Sequence, residues 1–126
     1  MNQWREANSV DDCLFCRIAR GEIPAAVVYE DEFVIAFDDI TPQAPVHTLI
    51  IPRMHFNDMN DDIPAEQLAG LFSAVPRVAE VKGVAESGYR IIVNTGADAN
   101  QTVRHLHIHV VGGRSLAHGM VIFGEE

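Results

Sequence analysis

The sequence predicts an α+β domain: a five-stranded antiparallel sheet with one long helix and a short N-terminal helix. Three observations carry that expectation. Short β-branched and aromatic runs are separated by turn residues, as in strands joined by hairpins. One stretch after Pro64 repeats its apolar residues at helical spacing. The segment Arg104-His105-Leu106-His107-Ile108-His109-Val110-Val111 alternates polar and apolar residues with the period of a strand.

Taken along the chain, Asp12 is placed to cap a short helix over 13–20 that Gly21 ends, with Leu14, Phe15 and Ile18 on one apolar face. Segments 27–29 and 33–37, split by Glu30-Asp31-Glu32, read as a hairpin with a polar turn. Thr41-Pro42-Gln43-Ala44-Pro45 is a loop, because two prolines exclude regular pairing. A third strand over 47–51 stops at Pro52. Pro64 opens the long helix at its first turn, where a missing N–H costs nothing, and Leu68, Leu71, Phe72, Val75, Val78 and Ala79 form its apolar series. Pro76 is expected to kink this helix, and Gly83 or Gly88 to end it. A fourth strand covers 89–93, a polar loop 94–102, and a fifth strand 105–111. There is no internal repeat. The expected organisation is a flexible arm over 1–12 and a single domain over 13–126.

Composition narrows the function. A chain of 126 residues with 48% apolar and 21% charged residues can bury an ordinary core. A formal charge of −9 argues against a nucleic-acid polymer as ligand, since phosphate backbones select basic surfaces. A single nucleotide needs only local donors and stays open. No apolar stretch is long enough to cross a bilayer, so no membrane partner is expected. The polar N-terminus lacks the apolar core of a signal peptide, and a cytoplasmic protein is expected. In that compartment Cys13 and Cys16 are reduced or metal-bound sooner than disulfide-bonded.

The alternation places His105, His107 and His109 on one face of the fifth strand and Leu106, Ile108 and Val110 on the other. Neighbouring imidazoles would lie roughly 7 Å apart on a regular strand. Two chemistries suit such a row. One is zinc binding, but the outer histidines would be about 13 Å apart, while zinc reaches a His nitrogen at about 2 Å. The other is nucleophilic and acid–base chemistry, in which a neutral imidazole attacks an electrophile such as phosphorus. The preceding loop favours the second: Asn94, Asn100, Gln101 and Thr102 offer neutral donors, and Gly96 lets backbone N–H groups approach an anion. Asp39 can accept from a vicinal diol or cap its own turn. On spacing alone Phe15, Ile18 and Phe37 read as core packing. Cys13-x-x-Cys16 can be a redox pair, half of a zinc site or two ordinary thiols; a redox pair wants a thioredoxin-like parallel sheet that this chain does not suggest, and a zinc site needs two more ligands.

The segment 105–111 resembles the signature of the histidine-triad (HIT) family. Cys13-Leu14-Phe15-Cys16-Arg17-Ile18, Gly21-Glu22-Ile23-Pro24, the run from Phe37 to His47, Ile51-Pro52-Arg53-Met54-His55, Gly88-Tyr89-Arg90, Asn94-Thr95-Gly96 and Gln101-Thr102-Val103 are similar to its HINT branch, in the same order. The resemblance implies a homodimer whose sheets join across the pair. It implies hydrolysis of purine nucleoside phosphoramidates, such as adenosine 5′-monophosphoramidate or lysyl-AMP, without a catalytic cofactor. Dinucleoside polyphosphate hydrolysis, and purine-nucleotide binding with incidental catalysis, are the alternatives. By position, His107 is the implied nucleophile, forming a nucleotidyl-histidine; His109 and His47 contact phosphate, and His105 supports the strand. Asn94, Gln101 and Thr102 fall on phosphate or leaving-group positions, Asp39 on the ribose acid, and Phe15, Ile18, Ile23, Phe37 and Ile40 on the base cleft. The resemblance also implies a structural zinc on Cys13, Cys16, His55 and His105. Two departures stand out: Thr102 where many relatives carry Ser, and a C-terminal segment without the Trp-Pro-Pro ending of some relatives.

Overall fold

The computed structural model describes residues 12–117. The expected N-terminal arm, apart from Asp12, lies outside these residues, as do His118, Met120, Val121, Ile122 and Phe123. Helix α1 spans Leu14–Ala19 and helix α2 Ala65–Val81. Strands β1 (Val27–Glu30), β2 (Val34–Asp38), β3 (Val46–Pro52), β4 (Tyr89–Ile92) and β5 (Ile108–Gly112) form one sheet in the order β1-β2-β3-β5-β4. Every neighbouring pair is antiparallel, as expected. The β1–β2 turn is closed by Asp31, whose Oδ1 accepts the Phe33 and Val34 N–H groups at 2.8 and 3.0 Å.

Both faces of the sheet are covered. On one, Val34, Ala36, Ile50, Leu106, Ile108 and Val110 pack with Leu71, Ala74, Val75 and Val78 of α2. On the other, Ile35, Phe37, Leu49 and Ile51 pack with Cys13, Phe15, Cys16 and Ile18 at α1. Strand alternation makes this division: successive residues of β2, β3 and β5 go to opposite layers. Each fully buried Ile, Leu or Phe contributes roughly 1.5–3 kcal/mol, so both layers are substantial. The α1 layer also receives the histidines of β3 and β5, which places polar chemistry beside an apolar wall. No helix among the described residues is long and apolar enough to cross a membrane.

Several local expectations change. Cys13, not Asp12, caps α1: its Sγ accepts the Cys16 N–H at 3.2 Å. Leu14 leaves the buried face of α1 and stays half exposed, because Phe15, Cys16 and Ile18 take the sheet side. Pro64 sits at the cap of α2 with ψ 143°, one position earlier than expected. The helix runs unbroken through Pro76, although that ring removes the donor to the Phe72 carbonyl. Phe72 is partly exposed, and Ala74 takes the buried place in the stripe. The fourth strand stops at Ile92 rather than residue 93. The fifth begins only at Ile108, not residue 105. The reason lies opposite: β3 ends at Pro52, which has no N–H for a ladder, and its carbonyl accepts from His105 Nε2–H at 2.9 Å. The Leu106 N–H turns to the Phe56 carbonyl instead.

Gly70 of α2 packs directly against Phe33, in the β1–β2 turn. A Cβ there would lie 2.7 Å from Phe33 Cβ and Cδ2. Gly70→Ala should therefore lower stability by about 1–3 kcal/mol through overpacking, despite alanine's helix propensity advantage of roughly 1 kcal/mol. Chemical denaturation checks this, and a stabilised variant would contradict the close approach.

Candidate active site

The C-terminal end of β2, the loop after it, α1 and the segment 94–109 enclose a cavity of about 400 Å³. Its apolar wall is formed by Phe15, Ile18, Ile23, Phe37 and Ile40, the five residues expected around a base. Leu14 and Leu49 add to it. Asp39, Asn94, Asn100, Thr102, His107 and His109 supply its polar side. No Lys or Arg is among the described residues that line it.

Hydrogen bonds assign the imidazole protons. His107 Nδ1–H donates to the His105 carbonyl at 2.7 Å, so the lone pair resides on Nε2. The Gln43 N–H donates to His47 Nδ1 at 3.0 Å, so His47 carries its proton on Nε2. That proton is donated to His109 Nδ1 at 2.9 Å, which leaves the His109 proton on Nε2. Burial pushes His107 below the usual imidazole range, against the pull of its bond to the His105 carbonyl and of the Asp39 charge. Burial, with His107 and His47 adding to it, pushes His109 down to about 3. Both rings are neutral near pH 7. The His107 and His109 rings are 4.8 Å apart, closer than the spacing of a regular strand, because only His109 lies in β5. Phe15 stands edge-on to His107 at 5.2 Å and closes that side to water.

Asp39 caps its own turn and also reaches the cavity. Its Oδ1 accepts the Thr41 N–H at 2.9 Å, while Oδ2 lies 3.5 Å from His47 Nε2 and the residue borders the cavity. His47 itself stands behind His109 and is not part of the lining. Its neighbour two residues on, Leu49, is; alternation along β3 was the signal that could have found it. Asn100 also lines the cavity, and its φ of 64° is the left-handed backbone that Asn favours. Gln101 lies outside the lining.

His105 departs from the expected row. Its ring is fully buried and points away from the cavity into a second cluster. Nδ1 lies 3.3 Å from Cys13 Sγ and 3.5 Å from Cys16 Sγ. His55 Nδ1 lies 3.3 Å from Cys16 Sγ. The donor atoms of Cys13, Cys16, His55 and His105 all fall within 4.8 Å of one another. Each imidazole donates Nε2–H elsewhere, His105 to the Pro52 carbonyl and His55 to Asn57 Oδ1 at 2.8 Å. Both Nδ1 lone pairs therefore face the thiols, the arrangement a metal ligand needs. Asp39, His47 and His109 are equally close-set, but His47 Nδ1 accepts a backbone N–H and its Nε2 is protonated. The proton assignment separates the two clusters and makes only the first a ready metal site.

A domain model described as HIT domain matches residues 20–116. The chain belongs to the HIT family. The match contains His55 and all three alternating histidines, whereas both thiols precede it. A purine nucleoside phosphoramidase of Escherichia coli (strain K12) is 44% identical over 109 residues, covering 84% of this HIT chain and 91% of that protein. A 13.2 kDa HIT-like protein of Azospirillum brasilense is 55% identical over 107 residues, 82% of this chain and 87% of that one. Among solved structures, a HIT family hydrolase from Clostridium thermocellum superposes with a TM-score of 0.82 at 44% identity, covering 88% and 98% of the two chains. One from Legionella pneumophila Philadelphia 1 gives 0.80 at 45%, covering 85% and 97%.

The buried His109 makes stability depend on pH. Its folded value of about 3 lies below the ordinary 6.5, so between them the unfolded chain binds the extra proton. Stability should rise with pH across that window and level off above it. His109→Gln should flatten the rise by up to about 1.4 kcal/mol per pH unit. Urea midpoints from pH 4 to 8 test the difference; parallel curves for the two proteins would refute the assignment.

Proposed function

We propose that this HIT chain hydrolyses purine nucleoside phosphoramidates, of the AMP-amine or lysyl-AMP type, through a nucleotidyl intermediate on His107. The observation that carries this is the tether of His107 Nδ1–H to the His105 carbonyl, which leaves Nε2 unprotonated in a ring on the cavity wall. Nε2 attacks the α-phosphorus, the P–N bond breaks, and the nitrogen leaves as an amine after taking a proton from solvent, balanced by the proton the attacking water later gives up. Water then attacks phosphorus, the P–Nε2 bond breaks, and the nucleoside monophosphate departs from a neutral His107. Asn94, Asn100, Thr102 and the Nε2–H of His109 are the neutral donors for the phosphoryl oxygens. Asp39 accepts the ribose hydroxyls, and the apolar wall takes the purine.

The charge of the lining favours an amine as leaving group. A dinucleoside polyphosphate would bring several further negative charges past Asp39, with no Lys or Arg among the described lining residues to meet them. A cationic amine gains from that acid. The test is brief incubation with an adenosine phosphoramidate, then mass mapping of trapped adenylate. Adenylate on His107, with turnover reduced at least about 10³-fold in His107→Ala while AMP binding survives, is the expected result. Tight AMP binding with only background turnover would favour a binding protein instead, and faster cleavage of a dinucleoside polyphosphate would favour the polyphosphatase alternative.

The reading also includes a structural zinc and a homodimer. Cys13, Cys16, His55 and His105 fit zinc by donor type, mutual distance and fixed Nε2–H partners. When bound, the ion would supply no reaction chemistry; it would hold two thiolates and tie α1 to the backbone beneath His107. A cytoplasmic setting, which keeps thiols reduced, suits such a site. Strand β4 is a sheet edge bearing the partly exposed Tyr89 and Ile91, and a second copy pairing there would make the two sheets continuous. Native mass spectrometry reads both features. It should show a dimer with one zinc per chain, and chains without zinc for Cys16→Ser; a monomer, or zinc retained by that variant, would reject the respective assignment.

A further inference from the structure

No residue from 94 to 104 is fully buried; the loop that brings Asn94, Asn100 and Thr102 to the cavity meets the α1-side core through Val103, near its C-terminal end. It turns through Gly96 at φ 85° and Asn100 at φ 64°, around a single 3₁₀ turn at Ala97–Ala99. A segment with so little core contact lies toward the low-stability end of a fold. Polar bonds supply the rest of its hold.

Gln101 does so from the side opposite the cavity. Its chain neighbours Asn100 and Thr102 both line the cavity, while its own carboxamide turns away. Oε1 accepts the Gly96 N–H at 2.9 Å. Nε2 donates to the Asn57 carbonyl at 2.7 Å and the Val103 carbonyl at 3.0 Å. The Gln101 backbone N–H closes back on the Gly96 carbonyl at 3.1 Å. Both amide protons and the amide oxygen are thus committed to backbone groups. The Asn57 end is itself fixed, by its N–H to Asp61 Oδ2 at 2.6 Å and by Oδ1 to His55 Nε2–H at 2.8 Å.

We propose that Gln101 is a positioning residue for the phosphate loop, clamping residues 96–103 onto Asn57 so that Asn100 and Thr102 face the nucleotide. It touches no substrate. This rests on the phosphoramidase reading for its kinetic consequences, but the clamp itself is separately measurable. Gln101→Ala removes all three side-chain bonds. Gln101→Glu keeps the acceptor for Gly96 N–H and sets a carboxylate against two carbonyls; protonation of that acid restores one donor.

The experiment combines AMP calorimetry, steady-state kinetics and amide hydrogen exchange on the full chain. In Gln101→Ala the Kd for AMP and the KM for an adenosine phosphoramidate should both rise about tenfold, the equivalent of one to two hydrogen bonds. The kcat should stay within about threefold, because the His105 carbonyl that tethers His107 is untouched. Exchange should rise over 96–103 and not in β3 or β5. Gln101→Glu should bind AMP worse than the alanine variant at about pH 8 and recover toward about pH 5, as its carboxyl begins to take a proton; a protein merely damaged in folding would not recover in acid. Wild-type AMP affinity in both variants, loss of kcat at unchanged KM, or unchanged exchange over 96–103 would overturn the clamp. If the natural protein neither binds AMP nor turns over, the phosphoramidase reading fails, and the exchange data alone decide the clamp.

Discussion

One backbone carbonyl, that of His105, joins the two polar centres of this protein. On its own residue's ring side it belongs to a buried set of two thiols and two imidazoles. On its carbonyl side it receives the Nδ1–H of His107 at 2.7 Å. A neutral imidazole has one proton to place, and this bond places it on Nδ1, leaving the lone pair on Nε2. The same logic runs down the other branch of the site, from the Gln43 N–H through His47 to His109. Backbone groups thus set the protonation pattern at both ends, and no histidine needs a charge to hold it. Phe15, edge-on to both His105 and His107 at 5.9 and 5.2 Å, stands between the two centres as an apolar partition.

The electrostatics of the cavity follow from what was kept out of it. The nearest acid of β2, Asp38, is gripped by Lys82 at 2.9 Å and by the Thr48 hydroxyl at 2.8 Å. That lysine lies just past the end of α2, so the long helix neutralises a charge at the mouth of a site on the other side of the sheet. Asp39 takes the Thr41 N–H and hydroxyl and lies beside His47. The described lining thus combines neutral donors, the acids Asp38 and Asp39 and an apolar wall.

Much of this was legible in the residues, and the exceptions have physical causes. All five strands and both helices announced themselves, because β-branched runs, turn residues and the periodicities of 2 and 3.6 are local properties. The apolar wall and the polar donors of the cavity were also visible, through resemblance more than spacing. What stayed hidden depends on distant partners. The start of β5 is set by Pro52, more than fifty positions away, which cannot extend a ladder. The helix cap passed to Cys13 because that thiol also meets His105. Gln101 looked like a cavity residue since its neighbours line the cavity; only the backbone groups on Asn57 and Gly96 show that it faces the other way.

The division of labour between odd and even positions has a consequence for how this chain can vary. From residue 106 to 110, the even side chains fill the layer under α2 and the odd ones meet the cavity layer. Inserting or deleting a single residue there would exchange the two sets at a stroke, driving imidazoles into hydrocarbon and aliphatic side chains toward the cavity. Length changes in this stretch are therefore closed to the lineage except in pairs, whereas the exposed turn at Ala97–Ala99, outside any strand, is where added residues could be absorbed.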